Sequence, residues 1–231
     1  RNLLLDAHLG AELRLAGGRL GAYLQAARVL LTRRGVYLLP PGGSTPLGAL
    51  GYVDGAVELA RQVRAGEAPE PRAVYLALGT GGTAAGVLAG LRLSGISSEV
   101  RAVRVTPGWL GSAEKVASLA SEAVRLMRRF CDDVPDLRFS PEDVSVVEDM
   151  VGPGYGHPTP EGEEAARLAA EDGLRLEPTY TAKAFAALVR DAREGAEGPL
   201  LFWHTYSSTL PADPTRLDPS ILPEEFRRFF R

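Results

Sequence analysis

The densest chemistry in the chain lies at Leu78-Gly79-Thr80-Gly81-Gly82-Thr83-Ala84-Ala85-Gly86. An apolar run, Ala73-Val74-Tyr75-Leu76-Ala77-Leu78, delivers these glycines directly into a small-residue helical pattern, Thr83 to Arg92. With no side chains in the way, successive backbone N–H groups can close on an anion, and a helix start adds partial positive charge. The hydroxyls of Thr80 and Thr83 can donate to the same oxygens. Gly79, Gly81 and Ala84 also satisfy the dinucleotide spacing G-x-G-x-x-G/A. That spacing wants an acid at the end of the next strand, whereas Glu99 precedes the strand predicted at Val100 to Thr106. No lysine follows the glycines, so a Walker-type loop is excluded. A single phosphate monoester therefore fits this loop better than a dinucleotide.

Other reactive side chains are sparse. The single cysteine, Cys131, excludes an intramolecular disulfide, fits a reducing cytosol, and has no base beside it in sequence, so it reads as a structural thiol. His8, His157 and His204 lack metal-ligand spacing. Of the 26 basic residues only Lys115 and Lys183 are lysines. Each reads as a surface side chain, Lys183 solvated or ion-paired near a helix start. A net charge of −3 gives no reason to expect a nucleic-acid or anionic-membrane partner. Gly and Pro interrupt every apolar run short of membrane-spanning length, and the opening Arg1-Asn2-Leu3-Leu4-Leu5-Asp6 is too short and too soon acidic for a signal peptide. A cytosolic protein is the expectation.

The elements that must position the glycine loop alternate between strand and helix periods, which argues for an α/β fold with a parallel sheet. The apolar run Val36-Tyr37-Leu38-Leu39 stops at Pro40-Pro41-Gly42-Gly43. Leu47 to Val63 reads as an amphipathic helix capped by Ser44 or Thr45, with Pro46 in its first turn. Further helices are predicted over Ser112 to Phe130, Thr159 to Glu171 and Ala182 to Arg193. Further strands are predicted over Val144 to Val147 and Pro199 to His204. The stretch Leu210 to Arg231 is Pro-rich and ends in an aromatic, basic helical turn. With 231 residues, one large domain or two small ones is expected.

Five ordered motifs together resemble a family: Pro41 to Tyr52 (PGGSTPLGALGY), the Gly-Thr-Gly-Gly-Thr loop, Gly154-Tyr155-Gly156-His157-Pro158, Glu177-Pro178-Thr179-Tyr180-Thr181-Ala182-Lys183-Ala184, and Leu201-Phe202-Trp203-His204-Thr205. They look like the pyridoxal-phosphate enzymes of the D-cysteine desulfhydrase and 1-aminocyclopropane-1-carboxylate deaminase family. The similarity runs from residue 1 to about Thr205. It implies a tryptophan-synthase-β-like (fold type II) α/β architecture, with residues 1–46 as a remnant of a small domain and 47–231 as the large cofactor-binding domain. It further implies that Thr80, Gly81, Gly82 and Thr83 hold the phosphate of pyridoxal 5′-phosphate, and that Thr205 faces the pyridine nitrogen. Tyr155 and Tyr180 would sit over cofactor and substrate as catalytic residues. A small amino acid as substrate and a homodimer are implied in the same way.

Within the family, deaminases of the cyclopropane substrate resemble Tyr-Glu where this chain has Tyr180-Thr181, and carry Leu where it has Thr205. The desulfhydrase type carries Thr at both positions. A carboxylate near the pyridine nitrogen strengthens the electron sink that opening a cyclopropane needs more than expelling a thiolate does. The expected reaction is therefore α,β-elimination, as on D-cysteine, giving a keto acid, ammonia and sulfide. A cyclopropane deaminase or another small-amino-acid enzyme is the alternative. Tyr206-Ser207 stands where the family usually has Gly-Gly, and a bulky Tyr206 would reshape the pocket. The similarity begins in mid-family, so the first part of the family chain, with the lysine that joins the cofactor covalently, is expected to be missing. Neither Lys115 nor Lys183 matches that lysine, which leaves a further alternative: a non-catalytic fragment or degenerate homologue.

Overall fold

Four short aliphatic runs form one parallel sheet: β1 (Ala73–Leu78), β2 (Glu99–Arg104), β3 (Ser145–Val147) and β4 (Leu200–Phe202), in the order β3-β2-β1-β4. The register pairs Ala73 with both Glu99 and Leu200, and Arg101 with Ser145. The computed structural model describes residues 2–207, 209 and 211–230. Residues 40–206 form one compact unit, and residues 1–39 with 207–231 form another. The larger unit begins at residue 40, and within it Gly42 and Ser44 lie against the glycine loop. The stretch after Tyr206 groups with residues 1–39 instead of with the larger unit.

In the larger unit, helices α3 (Pro46–Arg64), α4 (Gly82–Leu93) and α5 (Ala113–Arg128) lie on one side of the sheet, and α6 (Pro160–Glu171) and α7 (Thr181–Arg193) on the other. Side chains alternate along β1. Val74, Leu76 and Leu78 enter the core shared with α3, α4 and α5, while Ala73 and Tyr75 face α7. Burial on both faces explains why β1 reads as a continuous apolar run. Residues 84–91 of α4 are all buried. Gly86 and Gly90 make that possible: a Cβ on Gly86 would stand 2.3 Å from the Ala49 carbonyl oxygen, and one on Gly90 2.5 Å from that of Val53.

Three helix starts follow the capping rules. Thr45 accepts from Gly48 N at 3.0 Å, Ser112 from Lys115 N at 3.4 Å, and Thr159 from Gly162 N at 3.1 Å. Prolines 46 and 160 open α3 and α6. On the α7 side Tyr75, fully buried, donates to Asp191 at 2.8 Å, and Asp191 also accepts from Arg101 and from Arg190. Burial together with the neighbouring carboxylate pushes the Tyr75 phenol up to about 12.

In the smaller unit, α1 (Asn2–His8) and α8 (Glu224–Arg227) share a core of Leu4, Leu222 and Phe226. Helix α2 (Arg19–Thr32) leaves Tyr23, Leu24 and Leu31 exposed, as are Val36 to Leu39. Arg1, Leu210 and Arg231 lie outside the described residues. No helix among the described residues is long and apolar enough to cross a membrane.

Candidate active site

The loop from β1 to α4 is built on a backbone only glycine accepts comfortably. Gly81 is the N-cap of α4 with φ 99°. The Gly79 carbonyl accepts from the buried Thr106 hydroxyl at 2.9 Å, and Gly111 approaches that carbonyl so closely that a Cβ would stand 2.2 Å from it. Ser44 does not cap α3. Its hydroxyl lies 2.6 Å from that of Thr80 and accepts from Gly82 N at 3.1 Å. Gly42, φ 70°, packs directly on the Thr80 side chain. The loop after Pro40 thus forms one wall of the glycine loop, a contact across more than thirty residues that no local pattern signals.

The second wall carries the tyrosines. Glu177 folds its carboxylate over the start of α7 and accepts from the amides of Thr179 (2.8 Å), Tyr180 and Thr181 (2.8 Å), while the Thr181 hydroxyl accepts from Glu177 N at 2.8 Å. An anion there satisfies otherwise unpaired amides and the helix dipole together. The motif that contains Glu177 assigns it no role by itself; a carboxylate four residues ahead of a helical pattern is the sequence signal for this cap. The Tyr180 ring is set against Gly79, where a Cβ would lie 3.5 Å from Cε1. Its hydroxyl is hydrogen-bonded to that of Tyr155, with the two rings edge-on at 76° and 5.8 Å between centroids. Burial, then the bond to Tyr155, holds the Tyr180 phenol well above the usual phenol value, so it stays neutral at physiological pH.

These walls enclose a cavity of about 600 Å³ whose lining includes Thr80, Gly81, Gly82, Thr83, Tyr155, Tyr180 and Thr205, every candidate site residue, together with Ser44 and Tyr206. That volume is in the range that accepts a cofactor-sized molecule. It opens at the carboxyl ends of β1, β2 and β4, where the chain leaves β1 toward β2 on one side and later returns to β4 on the other, the switch point at which parallel sheets place ligands. Glu99 sits at the opposite end. It pairs with Ala73, six residues before the glycine loop begins at Gly79, or about 20 Å along the strand, and its carboxylate is engaged by Ser145 at 2.7 Å and by Arg101. The dinucleotide reading therefore lacks its ribose-binding acid.

Neither lysine amine lines the cavity. Lys115, exposed as expected, donates to the carbonyls of Trp109 at 2.8 Å and Leu110 at 3.1 Å. Lys183 corrects the expectation of a solvated or ion-paired side chain. It is fully buried and donates to the carbonyls of Val151 at 2.7 Å and Gly154 at 3.4 Å. Cys131 is exposed, outside the core a structural thiol would occupy. The donors present fit a phosphate ester carrying an aromatic ring: a glycine helix start with two hydroxyls for the phosphate, and a strand-end hydroxyl, Thr205, facing the same space.

Known proteins give this geometry a context. D-cysteine desulfhydrase of Klebsiella pneumoniae (strain 342) is 36% identical over 173 residues, covering 73% of this chain and 49% of the relative. The crystal structure of a 1-aminocyclopropane-1-carboxylate deaminase homologue superposes with a TM-score of 0.66 at 28% identity, covering 86% of this chain and 59% of that one. O-ureido-L-serine synthase shares the fold alone, with a TM-score of 0.53 at 17% identity, over 84% of this chain and 57% of that one. The chain thus spans about half the length of the desulfhydrase it matches. The expected tryptophan-synthase-β-like, fold type II architecture is the one these relatives have, and pyridoxal phosphate is the cofactor it implies. The family model described as pyridoxal-phosphate dependent enzyme matches residues 1–205, and the chain belongs to that family.

Proposed function

We propose that the protein serves pyridoxal-phosphate-dependent α,β-elimination on a small amino acid, of the D-cysteine desulfhydrase type. The observation that carries this reading is the pair of hydrogen-bonded phenols, Tyr155 and Tyr180, in the same cavity as the glycine anion loop and Thr205. In this reading Thr80, Gly81, Gly82 and Thr83 bind the phosphate through backbone amides and hydroxyls. Thr205 offers the pyridine nitrogen a neutral hydroxyl, while Glu177, the carboxylate among the described lining residues, is engaged by the amides of Thr179, Tyr180 and Thr181. The cofactor, when bound, supplies an electron sink conjugated with the substrate's α carbon. The tyrosines hold a proton between their two hydroxyl oxygens. Tyr155, half exposed, is placed to donate its proton to a departing sulfur or to a substrate carboxylate while Tyr180 donates in turn to Tyr155.

Thr181 and Thr205 favour elimination over cyclopropane opening, for the electronic reason given above. A second reading is favoured by the lysines. With both amines bonded to backbone carbonyls, this chain by itself binds a phosphate ester without turning over, for lack of an amine to exchange with the substrate. Pyruvate and sulfide release from D-cysteine, measured with pyridoxal phosphate and with or without ethylamine to take the lysine's part, separates the two. Release that depends on the added amine supports the reading. No release in either case, with the cofactor bound, overturns it. We also infer a homodimer, for which light scattering should return about twice the chain mass of 24.6 kDa, and a cytosolic setting.

A further inference from the structure

Lys183 stands in the first turn of α7, where the helix dipole disfavours a cation, and it is fully buried. Its ammonium forms no ion pair among the described residues; its acceptors are the carbonyls of Val151 and Gly154. Burying an unpaired ammonium is costly, so some other demand must fix it there. Burial holds its pKa below the usual lysine value, with the field of Glu177 opposing.

The two carbonyls belong to the turn between β3 and α6, immediately ahead of Tyr155. That turn has little structure of its own. Gly152, Gly154 and Gly156 all have positive φ, and the sole backbone–backbone hydrogen bond it makes among the described residues runs from His157 N to the Gly154 carbonyl at 3.3 Å. A backbone this permissive takes whatever shape its outside contacts impose. Lys183 supplies two of those contacts from a rigid, buried helix start, and Tyr180, the partner of Tyr155, opens the same helix three residues earlier.

We propose that Lys183 is a positioning residue for Tyr155: its ammonium, by holding the carbonyls of Val151 and Gly154, sets the turn that carries the Tyr155 hydroxyl to Tyr180. The consequence for turnover rests on the tyrosine roles proposed above; the consequence for tyrosine geometry does not.

The test is fluorine NMR of the full chain labelled with 3-fluorotyrosine and free of cofactor. Resonances are assigned with Tyr155→Phe, Tyr180→Phe and Tyr75→Phe. In Lys183→Met the Tyr155 and Tyr180 signals should move, the latter toward its position in Tyr155→Phe, while that of Tyr75 in the Asp191 network stays. Adding Lys183→Met to Tyr155→Phe should shift Tyr180 no further. Lys183→Gln, a shorter donor able to reach one carbonyl, should fall between Met and wild type, and serves in its place if the Met variant does not fold. Unmoved Tyr155 and Tyr180 signals in a folded variant overturn the proposal, as does a Tyr75 shift of equal size or failure of both variants to fold, since these mark a general core role. Where the cofactor-loaded protein turns over, kcat should fall about 100-fold with KM little changed. Moved signals in a protein that never turns over leave the positioning role standing and count against the proposed function instead.

Discussion

Gly42 lies outside the glycine loop, yet replacing it should damage phosphate binding. A Cβ at Gly42 would stand 2.2 Å from Thr80 Oγ1 and 3.3 Å from Thr80 Cβ, so Gly42→Ala forces the Thr80 hydroxyl out of its present rotamer. That hydroxyl is also tied to Ser44 at 2.6 Å, so the wall moves with it. Two separable costs follow. Alanine at φ 70° costs about 1–2 kcal/mol of stability, or about 2–8 °C in melting temperature for a chain of this size. Losing a hydroxyl that donates to a charged phosphate costs about 1.5–3 kcal/mol of binding, which is about 10–150-fold in Kd. Calorimetric titration with pyridoxine 5′-phosphate, which has the phosphate and ring but no aldehyde, reads the second cost well below the melt. Thr80→Val removes the same hydroxyl without the steric push and should weaken binding equally. The double variant should be little weaker than either single one, within about 0.5 kcal/mol, because both act on one group. Wild-type affinity in Gly42→Ala, or losses that add in the double variant, would refute the reasoning.

Two further predictions concern the frame. Burial tends to raise the Asp191 pKa, but the bonds from Tyr75, Arg190 and Arg101 outweigh it and hold the carboxyl below its usual value. Its stabilisation is therefore complete above the unfolded value of about 3.9 and is lost as pH falls through the lower folded value. Asp191→Ala should cost about 3 kcal/mol at neutral pH. Urea titrations should show that difference shrinking in acid; a difference that stays constant with pH contradicts the assignment. Gly86→Ala places a Cβ 2.3 Å from the Ala49 carbonyl oxygen and 2.6 Å from Tyr52 Cβ, where α3 and α4 have backbone on both sides. Overpacking there should cost about 1–3 kcal/mol in a thermal melt, and an unchanged melt would mean that the helices separate freely.

Much of the frame was legible because each element obeys a local rule. An apolar run between a polar link and glycines gave β1, and a Thr-Pro pair ahead of a 3.6-residue pattern gave α3. The glycine loop could be read as an anion site from composition alone, and the resemblance grouped Tyr155, Tyr180 and Thr205 with it. Helix α2 is not among the expected elements although Leu20, Tyr23, Leu24 and Leu31 recur at helical spacing; its start at Gly18 carries no side-chain cap to mark it. What could not be read depends on contacts across the fold. Ser44 could have capped α3 as well as Thr45, and only packing against Thr80 decides between them. The acceptors of Lys183 lie about thirty residues before it, so the sequence showed a cation at a helix start and nothing of the carbonyls it serves.

The two lysines make a common physical point in a chain whose other basic side chains are arginine. Each ammonium spans two backbone carbonyls of a short connection: Trp109 and Leu110 for Lys115, Val151 and Gly154 for Lys183. A compact ammonium carries three rotatable donors on one atom and can satisfy two carbonyls that converge from different directions. A guanidinium presents its donors in a fixed plane and suits a planar carboxylate. Arg101, Arg104, Arg190 and Arg193 meet carboxylates in this way, whereas Arg92 and Arg227 each donate to two backbone carbonyls of their own neighbourhood. Both turns held by lysine contribute to the cavity, since Trp109, Leu110 and Tyr155 line it. The lysine count thus bears on the site twice over. Neither amine is available to the cavity, and both fix the backbone around it, so a substitution by arginine, conservative in charge, would be expected to disturb the site where a surface lysine would tolerate it.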